Sequence, residues 1–310
     1  MLKYIAKRLL MLIPVILGIS FIIFSIMSLT PGDPARLILG ENASEEQVHE
    51  LRIQMGLDNP FVIRYADYIF DAVKGDFGKS YRNGIPVFEE IFSRFPNTIK
   101  LAFWGITLSI VIGIPVGIIS AVKQYTIIDS LSLVAAMLLT SIPAFWLGLM
   151  LILVFSLKLD LLPTTGVDTW KNFVMPSVTL AAGTMATLIR MTRSTMLEVI
   201  RQDYIRTAKA KGAGERRIVF KHALRNALLP VVTVIGINFG FQLGGAMIIE
   251  TVFAMPGLGT LMITSVRMRD TPMVMASVLF VAVAIGITNL AVDILYAYID
   301  PRIRAQYAKN

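Results

Sequence analysis

The chain has 310 residues, of which 55% are hydrophobic and 16% are charged, and its mean hydropathy is +0.68. A soluble globular domain carries about 25% charged residues, so this composition excludes an ordinary soluble domain and indicates an integral membrane protein. The formal net charge is +8, and the absence of cysteine excludes disulfides and thiolate metal sites.

Six long uncharged runs predict the membrane-spanning helices. A helix needs roughly 20 apolar residues to cross about 30 Å of hydrocarbon, and lipid tolerates only backbones whose hydrogen bonds are closed. We therefore predict an all-α membrane protein with six transmembrane helices. The first run is longer than a signal-peptide core and lacks a small-residue cleavage pattern, which favours an uncleaved span. The runs without Asp, Glu, Lys or Arg are 9–32, 101–122, 131–157, 172–189, 226–249 and 271–292.

Basic residues are concentrated in three regions that a six-span chain places on one side. The 190–225 segment holds ten basic residues against three acids, and both termini are basic. Because Lys and Arg are retained on the cytoplasmic side, this segment and both termini are predicted to be cytoplasmic. The same asymmetry argues against a nucleic-acid-binding surface. The terminal basic residues are Lys3, Lys7, Arg8, Arg302, Arg304 and Lys309, with Asp300 as the acid beside the last three.

The segment 31–97 lies between the first two predicted spans and is expected outside the cytoplasm. Its 33–97 part holds 11 acids and 7 basic residues. Ser44 followed by Glu46 and Gln47 is typical of a helix start, and Gly56 is typical of a helix end. Apolar residues then recur at helical spacing, so we predict two or three short helices against the outer membrane face. A solvated loop without a role in transport is the alternative.

Catalytic motifs are absent from the sequence. The two histidines, His49 and His222, fall on opposite predicted sides of the membrane, and neither HExxH nor GxxxxGK[ST] occurs. The chain is therefore expected to be non-catalytic and to bind no cofactor itself. Its energy source must be an ion gradient or another subunit.

The predicted spans contain no ionisable residue, and candidates near their ends include Arg190, Arg193, Glu250 and Asp293. An ion-coupled carrier keeps such residues inside its spans, so this pattern counts against a proton or sodium carrier. Asp293 shares a helix face with Asn289. It either pairs with a basic residue on a neighbouring helix or faces the headgroups.

The fifth run contains two four-residue periodicities. Gly236, Gly240 and Gly244 have the spacing of small residues that let two helices approach closely. Asn238 and Gln242 have the same spacing on another face. These two amides either line a polar translocation path or make interhelical hydrogen bonds within a tight bundle.

The basic segment 204–228 is unusual between two spans. Residues 204–211 predict one short helix, Gly212 and Gly214 interrupt it, and residues 215–228 predict a second helix. The second helix has an apolar arc on a regular helical wheel. Arg216 falls within this arc, and the scheme does not explain a charged residue there. The residues of that arc are Val219, Phe220, Ala223, Leu224, Ala227 and Leu228.

Two partners suit this segment. A basic amphipathic helix often lies on anionic headgroups. The first helix instead carries Thr207, Ala208 and Ala210 where a membrane anchor would carry large apolar side chains. Small side chains are suited to a helix held in a groove on another protein.

These residues resemble the cytoplasmic coupling loop of ABC importer permeases, and most closely the first permease type of the dipeptide, oligopeptide, glutathione and nickel branch. The general motif begins with Glu-Ala-Ala, continues to a Gly and ends in Ile-x-Leu-Pro. Here Arg206, Thr207 and Ala208 replace the first triplet, Gly212 keeps its place, and the proline is deferred to Pro230. Further matches, in order along the chain, are MLKYIAKRLL, PGDPARLI, GDFGKS, SIPAFWLG, RMTRSTMLEV, VFAMPGLG and DPRIR.

The resemblance implies a multi-pass permease of the bacterial inner membrane that imports a dipeptide, an oligopeptide or glutathione. Its partners would be a second homologous permease, two ATPase subunits that hold the ATP and magnesium, and an extracytoplasmic substrate-binding protein. A nickel-complex permease is the alternative within the branch, and an ion-coupled carrier is the alternative outside it. The implied ATPase-coupling residues are Arg206, Thr207, Ala208, Lys209, Ala210, Lys211, Gly212, His222 and Arg225.

The chain is accordingly interpreted as a single permease domain over 1–310. The segment 31–97 is its extracytoplasmic part, 98–298 is the permease core, and 190–227 is the cytoplasmic coupling loop.

Overall fold

The computed structural model describes residues 2–40 and 42–299, and these residues are almost entirely helical. The basic tail residues and the DPRIR match lie outside the described residues. The helices are α1 (Leu2–Leu29), α2 (Pro34–Leu39), α3 (Glu45–Gln54), α4 (Phe61–Val73), α5 (Val87–Val122), α6 (Ile127–Ser141), α7 (Ala144–Leu151), α8 (Lys171–Ile200), α9 (Asp203–Ala210), α10 (Glu215–Arg217), α11 (Leu224–Val252), α12 (Leu258–Arg267) and α13 (Thr271–Ile299). Two π-helical turns, Ile152–Lys158 and Ile218–Ala223, continue α7 and join α10 to α11.

Five helices within the described residues are long and apolar enough to cross a membrane. The predicted third span instead forms two helices, α6 and α7, which meet at an angle of 99°. Pro143 causes this break because it lacks an N–H and disfavours a helical conformation at Ile142, which is extended. The total is therefore five spans, or six if the bent pair crosses as one broken span.

The spanning helices extend beyond the uncharged runs. α5 begins at Val87, not near Leu101, and its first turns carry Glu89 and Glu90. The uncharged runs mark only the part of a helix that tolerates lipid, so they miss helical turns that continue into water. The largest interhelical interface joins α5 and α8. Gly113 and Gly117 permit this close approach, because a Cβ on either residue would press against the backbone of α8.

The segment between α1 and α5 contains three short helices, as predicted. Ser44 and Gln47 form a reciprocal capping box at the start of α3, and Gly56 follows α3 with a positive φ of 63°. α4 lies beside the C-terminal half of α1, where the Tyr65 hydroxyl donates a hydrogen bond of 3.0 Å to the Leu17 carbonyl. Phe21 of α1 packs edge-to-face against Tyr65 with a centroid separation of 5.4 Å.

The sequence motif VFAMPGLG encloses a buried carboxylate. Glu250, near the end of α11, is 1% exposed and accepts hydrogen bonds from the Thr98 hydroxyl at 2.5 Å and the Thr260 backbone N–H at 3.0 Å. Thr260 belongs to the first turn of α12, so the carboxylate satisfies donors at the start of that helix. At Gly257, a side chain would overlap the Glu250 carboxylate. α12 was not expected from the sequence, because it directly follows Pro256 and Gly257 and has Gly259 in its first turn.

We expect the topology to follow the distribution of basic residues. The cysteine-free sequence allows single cysteines at Glu50, Asp168 and Glu215, which are all exposed. A membrane-impermeant maleimide added to spheroplasts should label the first two positions, and Glu215→Cys should react only after the membrane is permeabilised. Labelling of Glu215→Cys from outside would contradict a cytoplasmic location for the 190–227 segment.

Candidate functional site: the coupling loop and the helices behind it

α9 is anchored to the helix bundle by one buried side chain. Ile205 is fully buried and packs in an apolar cluster with Met196 of α8, Ile118 of α5 and Ile218 of the π-helical turn. Most other α9 side chains are exposed. The helix therefore presents a small and basic surface to water while its single large apolar residue connects it to α5 and α8.

The turn after α9 depends on glycine at one position. Gly212 has a φ of +78°, which is in the left-handed region that favours glycine. Gly214 has a φ of −65°, and a Cβ there would meet nothing within 4 Å. The two glycines therefore differ in kind, because Gly212 is required by backbone geometry and Gly214 is not.

The predicted second helix, residues 215–228, is longer in the structure than in the prediction. The helix that begins at Glu215 continues through the π-helical turn into α11, and residues Glu215–Gly244 pass as one candidate span. Pro230 lies inside this helix and does not end it. The loop is thus continuous with a spanning helix, because no break separates the two.

The buried face of that helix also differs from the predicted apolar arc. Ile218, Val219 and Ala223 are buried, whereas Phe220 is 61% exposed. A π-helical turn has more residues per turn than an α-helix, so it rotates the following side chains relative to a regular helical wheel. Arg216, which had no explanation on the regular wheel, is exposed to solvent.

A second contact joins α9 to the helix after it. The Asn226 amide donates a hydrogen bond of 2.8 Å to the Tyr204 hydroxyl. Together with the buried Ile205, this contact holds α9 against the base of α11. Among the residues assigned to ATPase coupling, Ala208 and His222 are half-buried, and the others are exposed: Arg206, Thr207, Lys209, Ala210, Lys211, Gly212 and Arg225.

A buried ion pair lies behind the coupling loop. Arg193 of α8 donates two hydrogen bonds, of 2.7 and 2.8 Å, to the two oxygens of Asp129 at the start of α6. The same carboxylate accepts hydrogen bonds from the Ser120 hydroxyl at 2.6 Å and the Tyr125 backbone N–H at 3.0 Å. Tyr125 has a φ of 64°, which is uncommon for a bulky residue. The network thus joins the ends of α5 and α6 to α8.

Sequence reasoning placed Arg193 near a span end but did not identify Asp129. Each residue lies just outside an uncharged run, so both resemble ordinary charged residues at a membrane boundary. A charge of each sign next to two separate runs is a weak signal, and only the tertiary structure brings the two together. For Asp293 the sequence left two interpretations, a pair with a basic residue on a neighbouring helix or a position facing the headgroups. The structure shows the first, because Asp293 pairs with Arg8 of α1 at 3.2 Å.

The two amides of α11 are turned towards α8. Gln242 is buried, and its Nε2 donates a hydrogen bond of 3.1 Å to the Thr184 hydroxyl. Thr184 in turn donates to Asn238 Oδ1 at 3.4 Å. Gln242 Oε1 is buried without a hydrogen-bond partner among the described residues. A layer of polar side chains therefore lies between α8 and α11, and one of its hydrogen-bond acceptors has no donor in the part of the chain that the structure describes.

The three glycines of α11 have different surroundings. At Gly236 a side chain would overlap Val292 of α13. At Gly240 a Cβ would make ordinary contacts of 3.6 Å with Asn289 and Ile285, and at Gly244 it would meet nothing within 4 Å. Within residues 2–40 and 42–299, no group of three or more His, Asp and Glu side chains is placed to hold a metal ion.

Comparisons with known proteins agree with this architecture. The family model described as the binding-protein-dependent transport system inner membrane component matches residues 113–305, and the model of its N-terminal part matches residues 1–102. The glutathione transport system permease protein GsiC of Escherichia coli strain K12 is 45% identical over 304 residues, which cover 98% of this chain and 99% of GsiC. GsiC of Shigella dysenteriae serotype 1 has the same identity and coverage.

The chain therefore belongs to the family of inner membrane components of binding-protein-dependent transport systems. It is a multi-pass, non-catalytic permease subunit of an ABC importer, and it works in a membrane complex with ATPase and binding-protein partners.

Solved ABC transporters support the fold. The inward-facing MetNI methionine ABC transporter superposes with a TM-score of 0.57 at 21% identity, covering 68% of this chain and 96% of that chain. An amino acid ABC transporter solved with histidines gives a TM-score of 0.52 at 16% identity, covering 69% of this chain and 94% of that chain.

We expect Gly236→Ala to be damaging and Gly240→Ala to be tolerated. The added methyl group overlaps Val292 in the first variant, and overpacking of this kind costs about 1–3 kcal/mol. The second variant makes only normal contacts with α13. The thermal midpoint of the purified complex should fall in Gly236→Ala alone, and equal midpoints in the two variants would contradict a close α11–α13 approach at Gly236.

We expect Asp129→Asn to weaken the junction between α6 and α8. The amide cannot pair electrostatically with Arg193, and leaving a buried polar partner unsatisfied costs about 1–3 kcal/mol. Arg193→Gln should have a similar effect. The thermal midpoint and the yield of assembled complex report the loss. If the ion pair acts as a unit, the Asp129→Asn/Arg193→Gln double variant should lose less than the sum of the single losses.

Proposed function

We propose that this chain forms half of the translocation path of an importer for small peptides, with glutathione as the first substrate to test. The support is the 45% identity to glutathione permeases along 98% of the chain. Dipeptides, oligopeptides and nickel complexes are the remaining substrate classes of the branch. The binding protein makes much of the substrate selection, so the proposal is tested with that partner present.

The proposed assembly contains a second homologous permease, two ATPase subunits and one extracytoplasmic binding protein. An exposed apolar stripe on α11 supports a further membrane partner. Ile237, Phe241 and Ile248 recur along one face and are 47%, 73% and 50% exposed. A helix that packs on both α8 and α13 and still exposes such a stripe is suited to contact a second permease.

The coupling loop is proposed to dock in a groove on one ATPase. The exposed part of α9 is small and basic, which lets a groove close around it. Ile205 then carries a displacement of α9 into the ends of α5 and α8, and the continuous helix from Glu215 carries it into α11. The Asp129–Arg193 pair adds α6 to the same group of helices. ATP closure in the partner would thus tilt several spans together.

Asn238 and Gln242 are proposed to line the path once α8 and α11 move apart. The unpaired Gln242 Oε1 supports this role, because a buried acceptor without a partner gains a hydrogen bond when water or a polar substrate reaches it. In the closed arrangement, the same amides hold α8 and α11 together through Thr184.

Uptake measurements test the substrate. In a strain without its own glutathione importers, coexpression of the permease pair, ATPases and binding protein should give accumulation of labelled glutathione. A catalytically inactive ATPase should abolish accumulation. Transport that persists with the inactive ATPase would support an ion-coupled carrier, and competition by dipeptides but not by glutathione would reassign the substrate.

Matched glycine variants test the coupling role of the loop. Gly212→Ala forces a left-handed conformation on a residue with a side chain, at a cost of about 1–2 kcal/mol. Gly214→Ala adds the same methyl group where the backbone is unstrained and the space is open. We expect the first variant to lower ATPase copurification and transport, and the second to resemble the wild type.

A charge variant separates docking from headgroup binding. Ala210 is exposed on α9, so Ala210→Glu adds a carboxylate to the proposed contact without changing the packing of Ile205. Burial of an unpaired charge in a protein groove is costly, whereas a basic surface helix on headgroups loses about 1 kcal/mol for one charge. Normal ATPase copurification and substrate-stimulated hydrolysis in Ala210→Glu would contradict the docking role.

A further inference from the structure

A cleft of about 390 Å³ lies between α1 and α5 in the half of the bundle next to the outer segment. α4 and Phe77 also line the cleft, and α13 contributes residues between Ala276 and Val283. Every residue that lines the cleft is apolar. It is thus distinct from the coupling loop and from the polar layer between α8 and α11.

The walls of the cleft belong to membrane-spanning helices. The spanning part of α1 has a mean hydropathy of 2.8, and those of α5 and α13 each have 2.2. Only 11% of the α1 window is buried, and Leu17 on the cleft wall is 41% exposed. The cleft is therefore continuous with the lipid-facing surface of α1.

We propose that this cleft binds an acyl chain of an outer-leaflet phospholipid. A polar occupant would lose hydrogen bonds to water without gaining any from the walls. An empty cleft would forfeit dispersion contacts along its whole lining. Hydrocarbon chains are the apolar groups that surround this part of the protein, and they reach the cleft along α1.

The size of the cleft is suited to part of one chain. A cavity of roughly 10–15 Å³ holds one water molecule, so a cleft of about 390 Å³ has room for a segment of one hydrocarbon chain. Ala72 of α4 and Ala276 of α13 leave this space open because their side chains are small. A larger residue at Ala72 would occupy the same volume.

A bound chain would have a structural role that ordinary surrounding lipid lacks. It would contact α1, α4, α5 and α13 together, whereas the aromatic contacts described above join α4 only to α1. The outer segment would then be attached to the bundle from two sides. This site does not depend on which substrate the importer carries.

Photocrosslinking in the assembled complex tests the site. The complex is reconstituted with phosphatidylethanolamine that carries a diazirine midway along one chain, then irradiated, digested and mapped. We expect labelling at 13–17, 69–77 and 276–283 to exceed labelling at the exposed apolar residues Leu131 and Met137 of α6. Labelling of the cleft that is equal to or below that of α6 would overturn the proposal, including the case in which another subunit covers the cleft.

Two alanine variants on α4 provide the matched comparison. Ala72→Trp fills the cleft, and Ala72→Leu is the milder version if the first does not assemble. Ala66→Trp adds the same bulk at an exposed position of the same helix. Labelling at 276–283 should fall several-fold in the Ala72 variants and stay unchanged in Ala66→Trp, with α6 labelling constant throughout. Unchanged labelling at 276–283 in assembled Ala72→Leu would overturn the proposal.

Discussion

The close packing of α5 against α8 is the contact on which the remaining structure depends. Gly113 and Gly117 remove the side chains that would keep the two backbones apart. The Ser109 hydroxyl reaches the Ala181 carbonyl of α8 at 3.1 Å, which also requires this proximity. α6, α7 and α11 all pack on α8, so a change in the α5–α8 spacing would displace these three helices as well.

The ends of α5 and α8 that contact α9 are also where the proposed coupling role would bring force into the spans. Ile205 inserts α9 between the ends of α5 and α8, and the Asp129–Arg193 pair joins α6 at the same level. A buried ion pair is a modest source of net stability, because desolvation offsets much of the attraction. Its two-pronged geometry nevertheless fixes orientation. The network is therefore best understood as a rigid joint between the coupling loop and the spans.

Much of this arrangement is predictable because membranes impose simple rules. Uncharged length identifies spans, and basic residues identify their cytoplasmic side. The helix start at Ser44 and the break at Gly212 follow from local backbone chemistry, and both predictions are confirmed. The coupling residues were found through a motif resemblance, since their exposed small and basic side chains have no distinctive packing pattern. Their contact with an ATPase stays a prediction.

The sequence by itself determined the helical class and the approximate spans, because these depend on local composition and local backbone preference. A motif resemblance in the sequence identified the family and the position of the loop. Only the tertiary structure decided which charges meet. Asp129 and Arg193 are 64 positions apart, and Thr98 and Glu250 are 152 apart, so neither pair has a local signal. The π-helical turn at Ile218–Ala223 likewise has no signal in the regular periodicity, whereas the bend at Pro143 follows from the local chemistry of proline. Regular periodicity assumes a straight and uniform helix, and tertiary contacts select departures such as the π-helical turn.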